Sequence, residues 1–189
     1  MLDQKIQGLY AITPNKNLDI ALIEGVITKH QISILQYRHK TDNEQRKLDE
    51  ASQLRELCLT HNTLFIINDD INLCEKVGAD GVHLGQNDVS LSGARSLLGK
   101  DAVIGITCYN QIELALKAQS EGADYVAFGA LFTSPTKPDA KHCSLSVVTQ
   151  AKKELYLPIV GIGGITLENQ QQALDAGCDS VAMINELFN

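Results

Sequence analysis

The sequence predicts a (β/α)₈ barrel of the TIM type whose eighth helix is missing or shortened. Eight short strand-like runs alternate with helix-length segments, and a weak repeat of Gly, a small residue and Asp precedes every second strand from the fourth onward. Only five residues follow the last run. Eight βα units in succession favour a closed barrel over an open, doubly wound sheet.

The predicted strands are short apolar runs bounded by Gly, Asp and Asn, which are turn and helix-end residues. In chain order they are residues 8–13, 32–38, 63–69, 81–85, 102–107, 125–130, 157–163 and 180–184. The helix pattern is clearest in residues 44–61 and 111–122, where apolar residues recur at spacings of three and four.

The repeat comprises 77-VGADGVHLG-85, 121-EGADYVAFG-129 and 176-AGCDSVAMI-184. Gly at the end of a helix can adopt the left-handed conformation that closes it. We expect residues 1–189 to form one barrel domain, because a chain of this length can bury a single sizeable core. A barrel left bare at its eighth helix needs a cover, so we expect a homo-oligomer, most simply a dimer.

Composition excludes several functional classes. The formal charge of −7, with no block of basic residues, argues against a nucleic-acid partner. The sequence has no signal-peptide pattern and no run of 18 apolar residues, so we expect no membrane segment and a cytoplasmic location. Five scattered cysteines without a C-x-x-C pair suit a reducing compartment.

Polar residues that end successive strands should meet on one face of the barrel, where barrel enzymes carry their sites. Cations and hydroxyls among them would bind phosphate oxygens, and isolated acids would bind Mg²⁺, so the sequence predicts small-molecule substrates and a metal-bound diphosphate. These residues are Gln36, Arg38 and Lys40; Asn68, Asp69 and Asp70; Gln86, Asn87 and Asp88; Thr107; the segment 133–141; and Gly161, Gly163 and Gly164.

In 36-QYRHK-40, strand alternation places Gln36, Arg38 and Lys40 on one face and Tyr37 and His39 on the other. Three polar donors on an inward face are costly to bury without an anionic ligand. The alternative is a solvated strand end with a chance Arg-x-Lys. We expect His39 to have a structural role.

Asp69 and Asp88 end consecutive strands in this barrel, where adjacent strands lie about 4.8 Å apart, so their carboxylates could share one cation. Both could instead cap helices, and for Asp70 a cap is the better interpretation. A pair of acid/base carboxylates is a further alternative, although a neighbouring Lys and Arg favour full ionisation.

Two further segments are weaker candidates. The loop 133-TSPTKPDA-140 combines hydroxyls with a lysine but could be an ordinary turn. The glycines of 161-GIGGIT-166 lie before a helix predicted to begin near Thr166, where exposed N–H groups would bind a phosphate, or they could serve strand–helix packing. We expect His83, within a strand, to be structural.

Taken together, five motifs in order along nearly the whole chain resemble the thiamin phosphate synthase (thiamin-phosphate pyrophosphorylase) family. The motifs are 36-QYRHK-40, 66-IINDD-70, 82-VHLGQND-88, 136-TK-137 and 160-VGIGGIT-166. The resemblance implies a (β/α)₈ transferase that joins 4-amino-2-methyl-5-hydroxymethylpyrimidine diphosphate to 4-methyl-5-(2-hydroxyethyl)thiazole phosphate. It further implies Mg²⁺ and a dissociative mechanism in which diphosphate leaves first.

The resemblance also assigns roles by position. Its implied catalytic residues, which bind the diphosphate, are Arg38, Lys40 and Lys137, and its implied Mg²⁺ ligands are Asp69 and Asp88. Its implied substrate-binding residues are Gln36 and Asn68 with Thr107, Ser134 and Thr136, and, for the thiazole phosphate, Gly163, Ile184 and Asn185.

The chain departs from the family pattern at several positions. Thr107 and Tyr109 replace the usual Ser and His after strand five, Asn185 replaces a Ser after strand eight, and His142-Cys143 replaces a Gly. Two alternatives therefore stand beside the synthase: a thiazole tautomerase-like relative, which would lack the acids and need the missing His, and a non-catalytic binder of thiazole phosphate or thiamin phosphate.

Overall fold

The computed structural model describes residues 6–133 and 142–188. Eight parallel strands close into a barrel in the order β1 to β8, each strand pairing with its neighbours in sequence. The strands are β1 (Gly8–Ile12), β2 (Ile34–Tyr37), β3 (Leu64–Asn68), β4 (Gly81–Leu84), β5 (Val103–Tyr109), β6 (Tyr125–Gly129), β7 (Ile159–Ile162) and β8 (Ser180–Met183). The predicted fold class is confirmed.

A helix follows each strand. The helices are α1 (Ile20–His30), α2 (Glu44–His61), α3 (Ile71–Val77), α4 (Leu91–Leu98), α5 (Ile112–Ser120), α6 (Leu145–Glu154), α7 (Gln170–Asp175) and α8 (Asn185–Phe188). The predicted helix 44–61 is observed with the same bounds, and the predicted helix 111–122 is shorter by one residue at its start and two at its end. None of the described helices is long and apolar enough to cross a membrane.

The last described element, α8, spans the four residues Asn185–Phe188. Its last two described residues, Leu187 and Phe188, are buried and belong to the layer of side chains between the strands and the helices. The stub therefore still contributes apolar side chains to the outer core, where helices cover the sheet.

Some predicted strand bounds were wrong for local reasons. β2 begins at Ile34 because the N–H of Ile32 bonds instead to Ile27 at the end of α1. β5 runs two residues past its predicted end, through a register shift between Thr107 and Tyr109. Such a bulge bends the strand and redirects a side chain at the rim of a barrel.

The core has two layers, as alternation along barrel strands requires. The outer layer lies between the strands and the helices. The inner layer fills the barrel with the side chains of Ile6, Tyr10, Ile12, Ile34, Ile66, Val103, Tyr125, Ala127, Val160 and Ala182. The barrel interior is therefore packed in the part of the chain that the structure describes, and a site is expected at the end where the strands finish.

The repeated Asp holds the opposite end of the barrel together. Each carboxylate accepts a backbone N–H near the start of the preceding strand and binds a cation on the helix before that strand, while its own N–H donates to a carbonyl of the same strand. The three sets of hydrogen bonds join Asp80 with Phe65 and Arg55, Asp124 with Ile104 and Arg95, and Asp179 with Ile159 and Lys152. The repeated Gly residues all have positive φ, as predicted for helix ends.

We expect Asp124→Asn to lower the free energy of unfolding by about 1–3 kcal/mol, since it removes a charge from a nearly buried bond to Arg95 and Ile104. The Asp124 side chain is 11% exposed, against 29% for Asp179. Asp179→Asn should therefore cost less. Urea unfolding of both variants tests this, and equal losses would contradict it.

Candidate active site

The ends of β2 and β3 border a cavity of about 340 Å³. It lies at the end of the barrel where the strands finish, and this end is called the rim below. Its lining includes Arg38 and Lys40 from the β2 end and Asn68 and Asp69 from the β3 end. Four of the residues predicted from the sequence are thus brought together. Two cations beside an amide and an acid are suited to a polyanion with a bound metal.

The backbone around Arg38 is held by residues that follow β1. Thr13 Oγ1 accepts a hydrogen bond from the Arg38 N–H at 2.8 Å and donates to the Arg38 carbonyl at 3.3 Å. Asn15 Oδ1 accepts the Lys40 N–H at 2.6 Å. The two cations are therefore presented from a backbone that is bonded to the neighbouring strand end.

Asp69 leaves the strand in a left-handed conformation, with φ of 64°. Non-glycine residues seldom adopt this region, although Asp and Asn tolerate it best, and such positions concentrate at functional sites. The Asn68 side chain donates a hydrogen bond to the Asp69 carboxylate. The turn therefore directs the carboxylate of Asp69 and keeps it beside Asn68.

Asp69 and Asp88 come together at the rim. The surrounding protein raises the pKa of Asp69 to about 6, first by burial and then through the neighbouring Asp88 carboxylate, while Arg38 and Asn68 oppose the rise. Asp88 Oδ2 also accepts the Gly85 N–H at 2.7 Å, which closes the turn after β4. Two carboxylates this close are a costly arrangement that a shared divalent cation would relieve.

The donor set fits Mg²⁺. Among the described residues, no group of three His, Cys, Asp or Glu side chains could hold a metal. Mg²⁺ commonly binds through one or two carboxylates and completes its shell with water and phosphate oxygens. Asp69 and Asp88 would supply the protein ligands. Asp70, by contrast, caps α3 by accepting the Leu73 N–H, as predicted.

A chain of hydrogen-bonded side chains crosses the barrel interior below the rim. Gln36 Nε2 lies 3.2 Å from Tyr10 Oη, Tyr10 Oη lies 2.9 Å from Tyr125 Oη, Tyr125 Oη lies 2.9 Å from His83 Nδ1, and His83 Nε2 lies 2.8 Å from Thr107 Oγ1. The chain links Gln36 and Thr107, two predicted substrate-binding residues, through three residues that the sequence did not mark for the site.

We assign the protons so that every hydroxyl and ring N–H in the chain has an acceptor. Tyr10 Oη accepts from Gln36 and donates to Tyr125, which donates to His83 Nδ1. Burial lowers the pKa of His83 to about 4, so the ring is neutral, and in this assignment its one proton lies on Nε2 and is donated to Thr107. The Thr107 hydroxyl proton is then free to point toward the rim.

The role of Tyr10, His83 and Tyr125 could be found from sequence only with knowledge of the barrel register. All three point inward, and a Cβ on Gly105 of β5 would lie 2.0 Å from the Tyr125 ring. The glycine therefore makes the space in which Tyr125 reaches both partners. An inward polar residue facing a glycine on the neighbouring strand is the signal that sequence reading missed.

Three predicted residues lie at the ends of β7 and β8, and β7 is opposite β3 in the closed barrel. Gly163 has φ of 96°, and a Cβ there would lie 2.6 Å from Ala130. Ile184 joins the interior layer, and Asn185 begins α8. The candidate phosphate site thus faces the acidic pair across the rim.

Two expectations about the glycine segment need correction. No helix begins at Thr166; α7 starts at Gln170, because Thr166 and Asn169 cap each other through reciprocal hydrogen bonds of 2.8 and 3.2 Å. Gly161 is buried, and a Cβ there would lie 2.7 Å from Leu131. Gly161 therefore serves packing, and no helix begins directly after the backbone that ends β7.

The remaining predicted site residues belong to the segment after β6. Ser134, Thr136 and Lys137 lie outside the described residues. Where the description resumes, Cys143 is buried and its N–H donates to the Ala130 carbonyl at 2.7 Å, and Asn110 donates to the His142 carbonyl at 3.2 Å. The departure at His142-Cys143 is thus bonded to the ends of β5 and β6.

Comparisons with known proteins agree with this geometry. The profile of the family described as thiamine monophosphate synthase matches residues 9–187. A thiamine-phosphate synthase of Thioalkalivibrio sulfidiphilus is 46% identical, covering 98% of this chain and 89% of that one. One from Chromobacterium violaceum is also 46% identical, covering 98% and 90%. The solved thiamine phosphate pyrophosphorylase of Pyrococcus furiosus superimposes with a TM-score of 0.87 at 28% identity, covering 97% and 88%.

We expect Gly105→Ala to lower the free energy of unfolding by roughly 1–3 kcal/mol, because the added methyl displaces the buried Tyr125 ring. Gly25→Ala is the matched control: Gly25 lies inside α1 with nothing within 4 Å of its Cβ position, so alanine should stabilise by about 0.5–1 kcal/mol. Chemical denaturation measures both, and a neutral Gly105→Ala would contradict the proposed packing.

His83 should remain neutral, with its proton on Nε2, at every pH well above 4. A lowered histidine pKa means that protons bind the unfolded chain more tightly, so the stability associated with His83 is lost as pH falls from about 6.5 toward 4. The ¹⁵N shifts of its ring between pH 5 and 8 are the measurement. A titration midpoint near 6.5 would refute the assignment.

Proposed function

The chain belongs to the thiamine monophosphate synthase family, and we propose that its rim carries out the thiamin phosphate synthase reaction with the division of roles given below. Its relatives are thiamine-phosphate synthases, so the chain is a transferase that forms thiamin phosphate. The observation that carries the proposal is the cavity lined by Arg38, Lys40 and Asp69, with Asp88 beside Asp69.

The diphosphate of the pyrimidine substrate would bind in this cavity. Arg38 offers a planar fork of donors, Lys40 a point charge, and Asn68 a side-chain amide, which together match phosphate oxygens. Asp69 and Asp88 would hold Mg²⁺ against the same oxygens, and when bound the metal neutralises charge on the leaving group. The proposed roles of Lys137, Ser134 and Thr136 are additional contacts to that diphosphate.

The pyrimidine ring would lie toward Gln36 and Thr107, at the two ends of the interior chain. When the bond between the substrate methylene and the diphosphate oxygen breaks, the electron pair leaves with diphosphate and the pyrimidine-methyl group becomes cationic. A neutral His83 places no opposing positive charge beneath that group. The Thr107 hydroxyl can donate to a ring acceptor because its own oxygen already accepts from His83.

The thiazole phosphate would bind across the rim, at the backbone near Gly163, Ile184 and Asn185. The thiazole nitrogen then forms the new bond to the pyrimidine methylene, and the positive charge ends on the thiazolium of thiamin phosphate. No proton has to be removed in this bond formation. The reaction therefore needs cations and metal ligands near the leaving group rather than a general base, and Arg38, Lys40, Asp69 and Asp88 at the rim would fill these roles.

Several finer statements belong to the same proposal. We propose that one barrel domain, residues 1–189, carries the whole site and that Mg²⁺ is its cofactor. A cytoplasmic location and a homodimer remain predictions from the sequence.

The decisive experiment supplies both substrates with and without Mg²⁺ and measures the amounts of thiamin phosphate and released diphosphate, which should be equal. We expect product only with Mg²⁺. Binding of thiazole phosphate without any turnover would instead support a non-catalytic binder. Conversion of a thiazole substrate in the absence of the pyrimidine diphosphate would support a tautomerase-like activity.

We expect Asp88→Asn to reduce turnover by tenfold or more, roughly as other losses at metal sites do, and to raise the Mg²⁺ concentration needed for half-maximal rate. Asparagine keeps an oxygen that accepts the Gly85 N–H, so the turn is preserved while the charge is lost. Titration of the rate with Mg²⁺ is the measurement. Unchanged Mg²⁺ dependence would remove Asp88 from the metal site.

A further inference from the structure

A buried carboxylate lies directly behind the cation-bearing segment 36–40. Glu50, in the middle of α2, is 9% exposed. It accepts Tyr37 Oη at 2.8 Å and His39 Nδ1 at 2.7 Å on one oxygen, and Arg46 Nε at 3.0 Å on the other. Glutamate is almost never this buried unless it is paired, so the position of Glu50 requires an explanation.

The partners of Glu50 are the residues that alternate with the site residues. Tyr37 and His39 bond Glu50 on α2, whereas Arg38 and Lys40 do not, and all four residues border the cavity. Residues 37 and 39 flank residue 38 and precede residue 40, so fixing their side chains fixes the backbone from which both cations project. Thr13 and Asn15 bond the same stretch from the β1 side.

The charge of Glu50 does not explain its presence. Burial on its own would raise the pKa of Glu50, but hydrogen bonds from His39, Tyr37 and Arg46 hold the pKa below its usual value, so the group is ionised. A negative charge behind an anion site opposes anion binding. An ionised carboxylate accepts hydrogen bonds only, which makes Tyr37 and His39 its donors.

We propose that Glu50 is a positioning residue for the proposed synthase reaction: it holds Tyr37 and His39 so that Arg38 and Lys40 point at the diphosphate. This inference rests on the proposed function. It assigns the outward half of 36-QYRHK-40 a role in the orientation of the inward half. His39 is then structural in the sense that it anchors a substrate-binding segment.

Two substitutions separate geometry from charge. Glu50→Asp keeps the charge but is one methylene too short, and Glu50→Gln keeps the size but removes the charge. Calorimetry with inorganic diphosphate plus Mg²⁺, and separately with thiazole phosphate, gives the Kd of each ligand. We expect the diphosphate Kd to rise about tenfold or more in both variants, because small displacements of binding groups are costly, while the thiazole phosphate Kd is unchanged.

A positioning role and a purely electrostatic role predict opposite changes in the diphosphate Kd of Glu50→Gln. If Glu50 acts through its charge alone, Glu50→Gln tightens diphosphate binding and Glu50→Asp changes nothing, and the proposal is wrong. Equal weakening of both ligands would also overturn it, since that indicates general loss of structure. Wild-type protein that binds no diphosphate would overturn the proposed function itself, and the positioning role with it.

Matched controls come from the same region. Glu56→Gln removes an exposed carboxylate from the same helix and should leave both Kd values unchanged. Tyr37→Phe keeps the buried ring and deletes one bond to Glu50, so it should weaken diphosphate binding in the same direction by less. It also provides the readout if a Glu50 variant does not fold, which thermal unfolding will show. Unaltered diphosphate binding in Tyr37→Phe would contradict the proposal.

Discussion

Pairing of the first strand with the last is the interaction on which the rest of this structure depends. Gly8 to Ala11 of β1 pair with Ser180 to Met183 of β8, and Ser180 Oγ adds a 2.8 Å hydrogen bond to the Gly8 carbonyl. Closure leaves no open sheet edge and sends every strand end to one rim. Only then do Arg38 and Asp69, from strands distant in sequence from β7 and β8, share a rim with the candidate thiazole phosphate site.

The two ends of the barrel have different roles: interactions at the amino-terminal end stabilise the fold, and the rim carries the candidate site. At the amino-terminal end, acids are each bonded to a strand N–H and a cation, as at Asp80, Asp124 and Asp179. At the rim, Asp69 and Asp88 face each other, and the pKa of Asp69 is raised by burial and by that neighbour. The same residue type is thus paired with a cation at one end and placed beside another carboxylate at the other.

Because side chains alternate along β2 and the residues after it, this short segment contacts both the site and helix α2. Its inward residues reach the cavity and the interior chain, and its outward residues reach Glu50 on α2. The helix therefore supports the site through Glu50 and also contributes Lys47 to the lining of the cavity. The interior chain works in a similar way from below, because Tyr125 and His83 determine the direction in which the Thr107 hydroxyl donates.

The sequence by itself determined the eight-stranded barrel, the cap at Asp70 and the contrast between Asp70 and Asp69, because these follow from local periodicity, strand ends and cap chemistry. Tertiary structure alone decided the partners: that Tyr125 fits against Gly105, and that Gln36 reaches Tyr10. Such facts depend on which residues of neighbouring strands face one another. Register across strands is set by the closed barrel, and no local pattern in the chain encodes it.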